Sequence, residues 1–387
     1  MPSIEYRLFF DNQPADQEKL DRVEEITVEQ QIDMAWEARL LIPICVNEDG
    51  KWEGEEEAWM RPFKRVRVEI KLGDGDFVPL IDGPVVGHDT ERSAIPGKSL
   101  VNLVVHDDSA LLNQEDEIKS HEDGADSDLA RKIFEDAHLG GTPDIDGTPS
   151  QPDNPSSVVM QRGTKMQLLR SLARRHRNFH AYVLPGREPG QSVGCFKKLP
   201  EKTDGLPPLI LLGEDRNLAS FDLRHNARTP AEVTAATLSI KDKTITTSKS
   251  SYRDATLIGN EPATPEQAQK TTRRLPPGLN DSVDLDSATE GEAARSGFSL
   301  EATGSVLPLC YTGVLSPYRV VEAKISDSKF SANYVIFKVT HTLTRSQYTQ
   351  SFMLRGNATS KEAGASAGGP AASASLSVSF NIQVGIF

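Results

Sequence analysis

The chain is short of most features that would identify a protein at once. Its three cysteines in 387 residues, Cys45, Cys195 and Cys310, are isolated and odd in number, and support neither a disulfide framework nor a zinc site. No apolar run approaches the ~20 residues that span a bilayer; the longest, 40–46 and 209–212, are strand-sized. The opening MPSIEYRLFF lacks a basic segment followed by an apolar one, so no secretory signal is expected. Positive charge is also short: 43 Lys and Arg stand against 56 Asp and Glu, a formal charge of -13. That balance argues against a general nucleic-acid-binding surface, which needs clustered cations. A hydrophobic share of 37% is low for one compact enzyme and too high for a wholly disordered chain. The expectation is a soluble, acidic protein of two or three domains, made in the cytoplasm.

What is present begins as β-structure. Ile4, Tyr6, Leu8 and Phe10 alternate with polar neighbours, and so do Val66, Val68, Ile70 and Leu72, up to the turn Gly73-Asp74-Gly75. Residues 77–86 and 99–106 repeat the strand–turn pattern, with breaks at Gly83-Pro84 and Pro96-Gly97. Residues 23–41 are ambiguous: Ile26, Val28 and Ile32 favour strand, whereas 34–39 holds good helix formers. Strands joined by short turns predict an antiparallel barrel or sandwich rather than a βαβ domain.

The character changes at Asp107. Residues 107–136 hold eleven acids and three bases. Ser127 is a candidate N-cap for a helix presenting Leu129, Ile133, Phe134 and Ala137 on one face. Four prolines make 140–155 a loop. Thr164-Lys165-Met166-Gln167 is a capping-box pattern opening a helix to about His176, with Met166, Leu169, Leu172 and Ala173 as its apolar stripe. Residues 162–177 carry six Lys or Arg and no acid. Arg170, Arg174, Arg175 and Arg177 are therefore candidates for contacts with the acidic 107–136 stretch, within or between subunits; an anion or nucleic-acid contact and a plain solvated face stay open. A second β-rich part starts near Phe179. Residues 244–299, rich in Ser, Thr, Ala, Glu and Pro, read as a solvated and partly mobile insertion. After strands at 319–323, 334–342 and 347–354 comes a Gly/Ala/Ser linker at 361–374. Beyond it Leu376, Val378, Phe380, Ile382, Val384 and Ile386 alternate strictly with small or polar residues, a strand that would seek a sheet edge.

Catalytic and cofactor constellations do not assemble. Asp107-Asp108 fits turn and capping roles better than acid–base work. Asp144-Ile145-Asp146-Gly147 lacks the further ligands of a calcium loop. His176 and His180 have no Glu to complete a zinc motif, and Cys195 has no nucleophile context. There is no GxSxG, Walker A or GxGxxG string. The sequence therefore predicts no enzyme, no cofactor and no metal.

Three stretches nevertheless resemble a known family, the baseplate hub proteins of contractile tails. The T4-type hub, the late control protein D family of phages and the N-terminal half of VgrG spikes belong to it. The first stretch is Leu80-Ile81-Asp82-Gly83-Pro84-Val85-Val86 with 99–112, ending His106-Asp107-Asp108-Ser109-Ala110-Leu111-Leu112. The second runs from Met160-Gln161-Arg162-Gly163-Thr164 through Leu168-Leu169-Arg170-Ser171-Leu172-Ala173. The third, Val339-x-His341 followed by Tyr348-x-x-x-Phe352-x-Leu354, is similar to the family's closing hairpin and is the most specific. The resemblance spans about 1–357, with 244–304 unmatched.

The resemblance implies a mainly β, α+β fold with two tube-like antiparallel β-barrels. Residues 1–110 would form the first barrel and 111–178 a helical connector. Residues 179–243 and 305–357 would form the second, interrupted by a mobile polar insertion at 244–304, with 358–387 a flexible linker and C-terminal strand. It also implies a homotrimer that adapts a sixfold tail tube protein to a separate threefold spike protein, beside baseplate wedge proteins. DNA or effector cargo would pass through its lumen, in a phage or injection-system baseplate and away from any membrane. Its rivals are a β-sandwich adhesin or carbohydrate-binding tail module, which the 6% aromatic share disfavours, and a tail-associated cell-wall hydrolase.

Overall fold

The computed structural model describes residues 4–54, 57–121, 124–149, 159–239, 243–264, 271–275, 285–326 and 328–360. The linker at 361–374 and the alternating segment from Leu376 to Ile386 lie outside them. Strand outweighs helix, 46% to 16%, giving a β-rich α+β fold around a large curled antiparallel sheet. Its main path runs Leu218–His225, Leu300–Val306, Tyr348–Gly356, Ala332–Thr344, Glu25–Gln31, Glu37–Pro43, Leu100–His106, Val78–Glu91, Arg65–Leu72, Ile4–Phe10 and the short Gln13–Pro14. The ambiguous 23–41 stretch resolves into two of these strands; its β-branched residues alternate inward, with Ile26 and Val28 buried. A six-residue helix, α1 (Gln17–Arg22), precedes it.

The early and late strands meet at one seam. Glu25–Gln31 pairs antiparallel with Ala332–Thr344, from Lys338 opposite Gln31 to Thr344 opposite Glu25. The sequence pattern Val339-x-His341 … Tyr348-x-x-x-Phe352-x-Leu354 lies on the late strand of that seam and on its hairpin partner Tyr348–Gly356, and all five residues are buried. The His341 Nε2–H donates to Gln30 Oε1 (3.3 Å), which leaves Nδ1 to accept from the Tyr348 hydroxyl (2.8 Å). Gln30 in turn donates to Leu80 O (2.7 Å), reaching the strand Val78–Glu91. Burial lowers His341 to about 3, so it bridges the two halves as a neutral ring.

Two helices form a separate layer with a small sheet. Helix α2 (Asp126–Asp136) starts one residue after Ala125 rather than after the expected cap Ser127, whose own amide is held by Thr148 Oγ1 (3.0 Å). Helix α3 (Lys165–Arg174) opens with the Thr164–Gln167 capping box in full. The hairpin Phe179–Pro185 and Ser192–Lys198, expected to open a second barrel, instead lies against these helices. Phe179, Ala181, Val183 and Phe196 share a core with Phe134, Leu169 and Leu172. Its other face puts Tyr182 and Cys195 into the core of the large sheet, where Tyr182 stacks on Tyr318 at 3.6 Å. The hairpin is thus the middle layer of the molecule.

The described residues within 244–304 also differ from the expected solvated insertion. Thr244–Ser251 pairs with Glu232–Ser239, and helix α4 (Leu285–Ser296) covers that pair through Val233, Ala235, Ala288 and Ala293. Thr289 Oγ1 lies 2.8 Å from Ser248 Oγ within this packing. Leu300–Val306 is an interior strand of the large sheet. These elements bury small side chains, which carry little hydrophobic signal.

One close approach fixes the end of the N-terminal sheet. A Cβ on Gly83 would lie 2.0 Å from His106 O and 3.0 Å from the Asp107 backbone. Gly83→Ala is expected to push Val78–Glu91 off this contact and to cost ~1–3 kcal/mol, read as a lower urea midpoint; an unchanged midpoint would show that the backbone yields freely.

Candidate functional site: a charged joint between sheet and hairpin

Arg65, Arg67 and Glu69 project from one face of Arg65–Leu72, opposite Val66, Val68 and Ile70, and the alternation marks that face as solvent. In the fold it is covered. Arg67 is fully buried, the largest such side chain described, and Asp82 lies directly across the strand pair from it. Arg67 Nε donates to Glu69 Oε1 (2.8 Å) and Nη1 to Asp82 Oδ2 (2.9 Å). Nη1 and Nη2 also reach the carbonyls of Glu188 (3.3 Å) and Arg187 (2.9 Å), in the loop of the middle hairpin. Asp82 Oδ2 accepts a second bond from Gly190 N (3.0 Å). Gly190 has φ +81, a conformation that suits glycine, and a Cβ there would meet Asn12 at 2.7 Å.

Arg65 extends the network to the turn after the last strand of the N-terminal sheet. Its Nε donates to Asp82 Oδ1 (2.6 Å), its two terminal nitrogens fork onto Asp108 (3.0 and 2.5 Å), and Nη2 also reaches Ser192 Oγ (3.3 Å). Burial alone would lower Arg65, but Asp108 and Asp82 outweigh it and hold the guanidinium above its ordinary value. Beside it, Asp107 accepts from Trp36 N (2.6 Å) and Ser109 N (2.9 Å), capping the 3₁₀ turn Asp108–Asn113. Burial pushes the Asp107 carboxyl up to about 6, against those hydrogen bonds. Two guanidiniums, three carboxylates and a hairpin loop thereby lock the large sheet, the 3₁₀ turn and the middle layer together.

No protein-family model matches the chain, and no curated protein matches it. Solved structures do. The tail protein from Neisseria meningitidis MC58 superposes with a TM-score of 0.58 over 92% of this chain and 96% of that one, at 13% identity. The 43 kDa tail protein of prophage MuSo2 from Shewanella oneidensis gives 0.59 over 91% and 98%, at 15% identity. The chain has the fold of phage tail proteins. A chain of the Francisella PdpA–VgrG complex is also similar, with a TM-score of 0.51 over 93% of this chain and 59% of that one, at 9% identity.

The tail-protein fold disperses the other residues singled out in the sequence. Asp144 Oδ2 pairs with Lys197 Nζ (2.7 Å), and Asp146 Oδ2 accepts from Lys198 N (3.0 Å), so both tie a loop to the middle hairpin. His176 Nε2 lies 2.8 Å from Asp126, and His180 Nδ1 lies 2.8 Å from Asp33, on separate elements. Burial pushes the Cys195 thiol up to about 12, the setting of an inert core residue. Among the described residues no group of three or more His, Cys, Asp and Glu could hold a metal ion. Of the four arginines, Arg175 Nη1 stands 3.6 Å from Asp126, and Arg177 Nη2 donates to Asp254 O (2.9 Å) and Thr256 Oγ1 (3.0 Å). Arg170 and Arg174 make no ion pair with the acidic stretch among the described residues.

Removing Asp82 leaves two largely buried guanidiniums sharing the remaining carboxylates. Asp82→Ala is expected to destabilise by ~3–5 kcal/mol, measured by urea unfolding; a loss below ~1 kcal/mol would show the network to be slack. The second expectation concerns pH. Folded Asp107 holds its proton up to about 6, whereas the unfolded carboxyl ionises at its ordinary 3.8. Its contribution is therefore complete below the lower value and is lost as pH rises through the upper. Asp107→Asn should remove that component, flattening stability against pH between ~4 and ~7 relative to the parent; parallel curves would mean that Asp107 titrates normally.

Proposed function

We propose that the chain is a structural hub of a contractile tail or injection machine, a homotrimer joining a sixfold tube to a threefold spike. The observation that carries this reading is the superposition on two tail proteins over more than nine-tenths of the chain, with nearly all of each partner covered. Two further features support it. The large sheet has an early and a late half joined at the His341 seam; one buried cluster runs from the early strands across the seam to Val335, Leu343 and Tyr348, and a second lies among the late strands. The halves would be the two tube-like units, six in a trimer. The Arg67–Asp82 joint fixes the middle layer on the sheet, as a part that transmits force between rings requires.

Under this reading the partners are the tail tube, a separate spike and the baseplate wedges, and cargo passes without specific binding. The alternating residues Leu376, Val378, Phe380, Ile382, Val384 and Ile386 would supply a strand to the spike or to a neighbouring subunit.

Sedimentation velocity with negative-stain imaging tests the proposal. The full chain is expected to form a trimeric ring with a central channel, and the chain truncated after Ser360 to form the same ring but lose co-purification with the spike. A monomer at high concentration, both alone and with the spike, would overturn the hub reading.

A further inference from the structure

The terminal strand of the large sheet, Leu218–His225, is paired on one side only. It runs antiparallel to Leu300–Val306, from Leu218 opposite Val306 to His225 opposite Leu300, and among the described residues no other strand pairs with it. Its foot is closed, because Asn217 N donates to Ile210 O (2.9 Å) and Asn217 Oδ1 accepts from Ile210 N (2.8 Å). The register shift between Leu218 and Ser220 lies at that foot. From there to His225 the outer edge is open, and the strand holds neither the proline nor the lysine that commonly blocks such an edge.

The side chains of this edge are half-covered. Phe221 and Leu223 pack against the buried cluster of the late strands without being enclosed by it, with the Phe221 ring 6.0 Å from that of Tyr334. Ser220, Asp222 and Arg224 alternate with them and are exposed. A strand laid on this edge must therefore carry apolar side chains on one phase and small or polar ones on the other. Residues 376–386, which lie outside the described residues, have that sequence: six apolar side chains on one phase, and Ser377, Ser379, Asn381, Gln383 and Gly385 on the other, none of them charged. Another open edge, Thr244–Ser251, holds Ile245 as its single apolar residue and makes no such rim.

The path of the chain favours the same edge. Tyr348–Gly356 is antiparallel to the same Leu300–Val306, with Gly356 opposite Leu300. It therefore runs in the same direction as Leu218–His225 and ends level with His225, two strand spacings or ~10 Å away. Asn357 O accepts from Ala263 N (2.9 Å), and Thr264 Oγ1 lies 3.1 Å from His225 Nε2. The described chain thus stops close to the His225 end of the open edge, and a return from there toward Leu218 is antiparallel. The fifteen residues 361–375 can span up to ~50 Å. A short tether holds its segment at ~mM effective concentration on its own subunit, against which a second copy must compete.

We propose that residues 376–386 seat antiparallel on the open edge of Leu218–His225 in their own subunit, with the apolar phase over Phe221 and Leu223. The seat does not need the hub reading; within that reading, the seated segment's second edge is the one left to a spike or a neighbouring subunit.

Hydrogen exchange of the full chain, compared with the chain truncated after Ser360, tests the seat. Amides within 219–225 are expected to exchange at least tenfold more slowly in the full chain, with those of Leu300–Val306 unchanged. Phe380→Gln/Ile382→Gln should release the edge as truncation does, whereas Ser379→Gln/Asn381→Gln, the same side chain on the other phase, should keep it protected. These substitutions lie outside the described residues, so the folding of the sheet is not at issue. Equal exchange in the full and truncated chains, or equal effects of the two pairs, would overturn the proposal. Mild oxidation separates the sources of the strand. In a Cys45→Ser/Cys310→Ser background, Asp222→Cys is combined in turn with Ser379→Cys, Asn381→Cys and Gln383→Cys, and one combination is expected to close a disulfide within a single chain. A disulfide formed only between two chains would overturn the single-subunit seat. The imaging that tests the hub is unaffected by either result, so the two readings fail separately.

Discussion

Asp82 accepts from both buried guanidiniums and from a loop amide of the middle hairpin, and the arrangement of the layers depends on it. Among the described residues, the large sheet, the 3₁₀ turn after its N-terminal half and the hairpin beneath the helices have no other shared polar anchor of this size. Hydrophobic contact across the hairpin, such as Tyr182 on Tyr318, is non-directional and leaves sliding room. The forked and bridged geometry around Arg65 and Arg67 does not, because each guanidinium is held at several N–H groups at once. Burial raises the stakes: a misplaced partner leaves a charge in low dielectric, so the joint has one good arrangement.

The division of labour is consistent through the molecule. Apolar residues set which strands are inside, and a few buried polar residues decide how the parts are registered. At the seam a neutral His341 between Gln30 and Tyr348 does for the two halves of the sheet what Asp82 does for the layers. In both networks the guanidiniums, Asp82 and the His341 ring are engaged with the protein's own groups.

Much of this was legible in the sequence where periodicity is strong. The strand Arg65–Leu72 and the capping box at Thr164 fall where their residues place them, and the closing-hairpin pattern around His341 marked the seam. The joint was not legible as a joint. Arg65, Arg67 and Glu69 sit on the polar phase of an amphipathic strand, and nothing local says that a hairpin more than a hundred residues later covers them. The available signal was register: a turn at Gly73-Asp74-Gly75 brings Asp82 opposite Arg67, a carboxylate facing an arginine. Helix α4 escaped for another reason. Between Leu285 and Ser296 at its two ends, its buried positions are Ala288, Thr289, Gly291, Ala293 and Ala294, whose small side chains allow close packing without an apolar stripe.

The seam also has a consequence in time. Glu25–Gln31 leaves the ribosome about three hundred residues before Ala332–Thr344, its neighbour on one side. At ~5–20 residues per second, that edge stays open for roughly 15 to 60 seconds of synthesis. Throughout that interval a strand rich in β-branched residues presents unpaired amides and carbonyls to other nascent copies. The chain therefore faces its greatest hazard of mispairing before its own closing hairpin exists, and crowding on a polysome sharpens it.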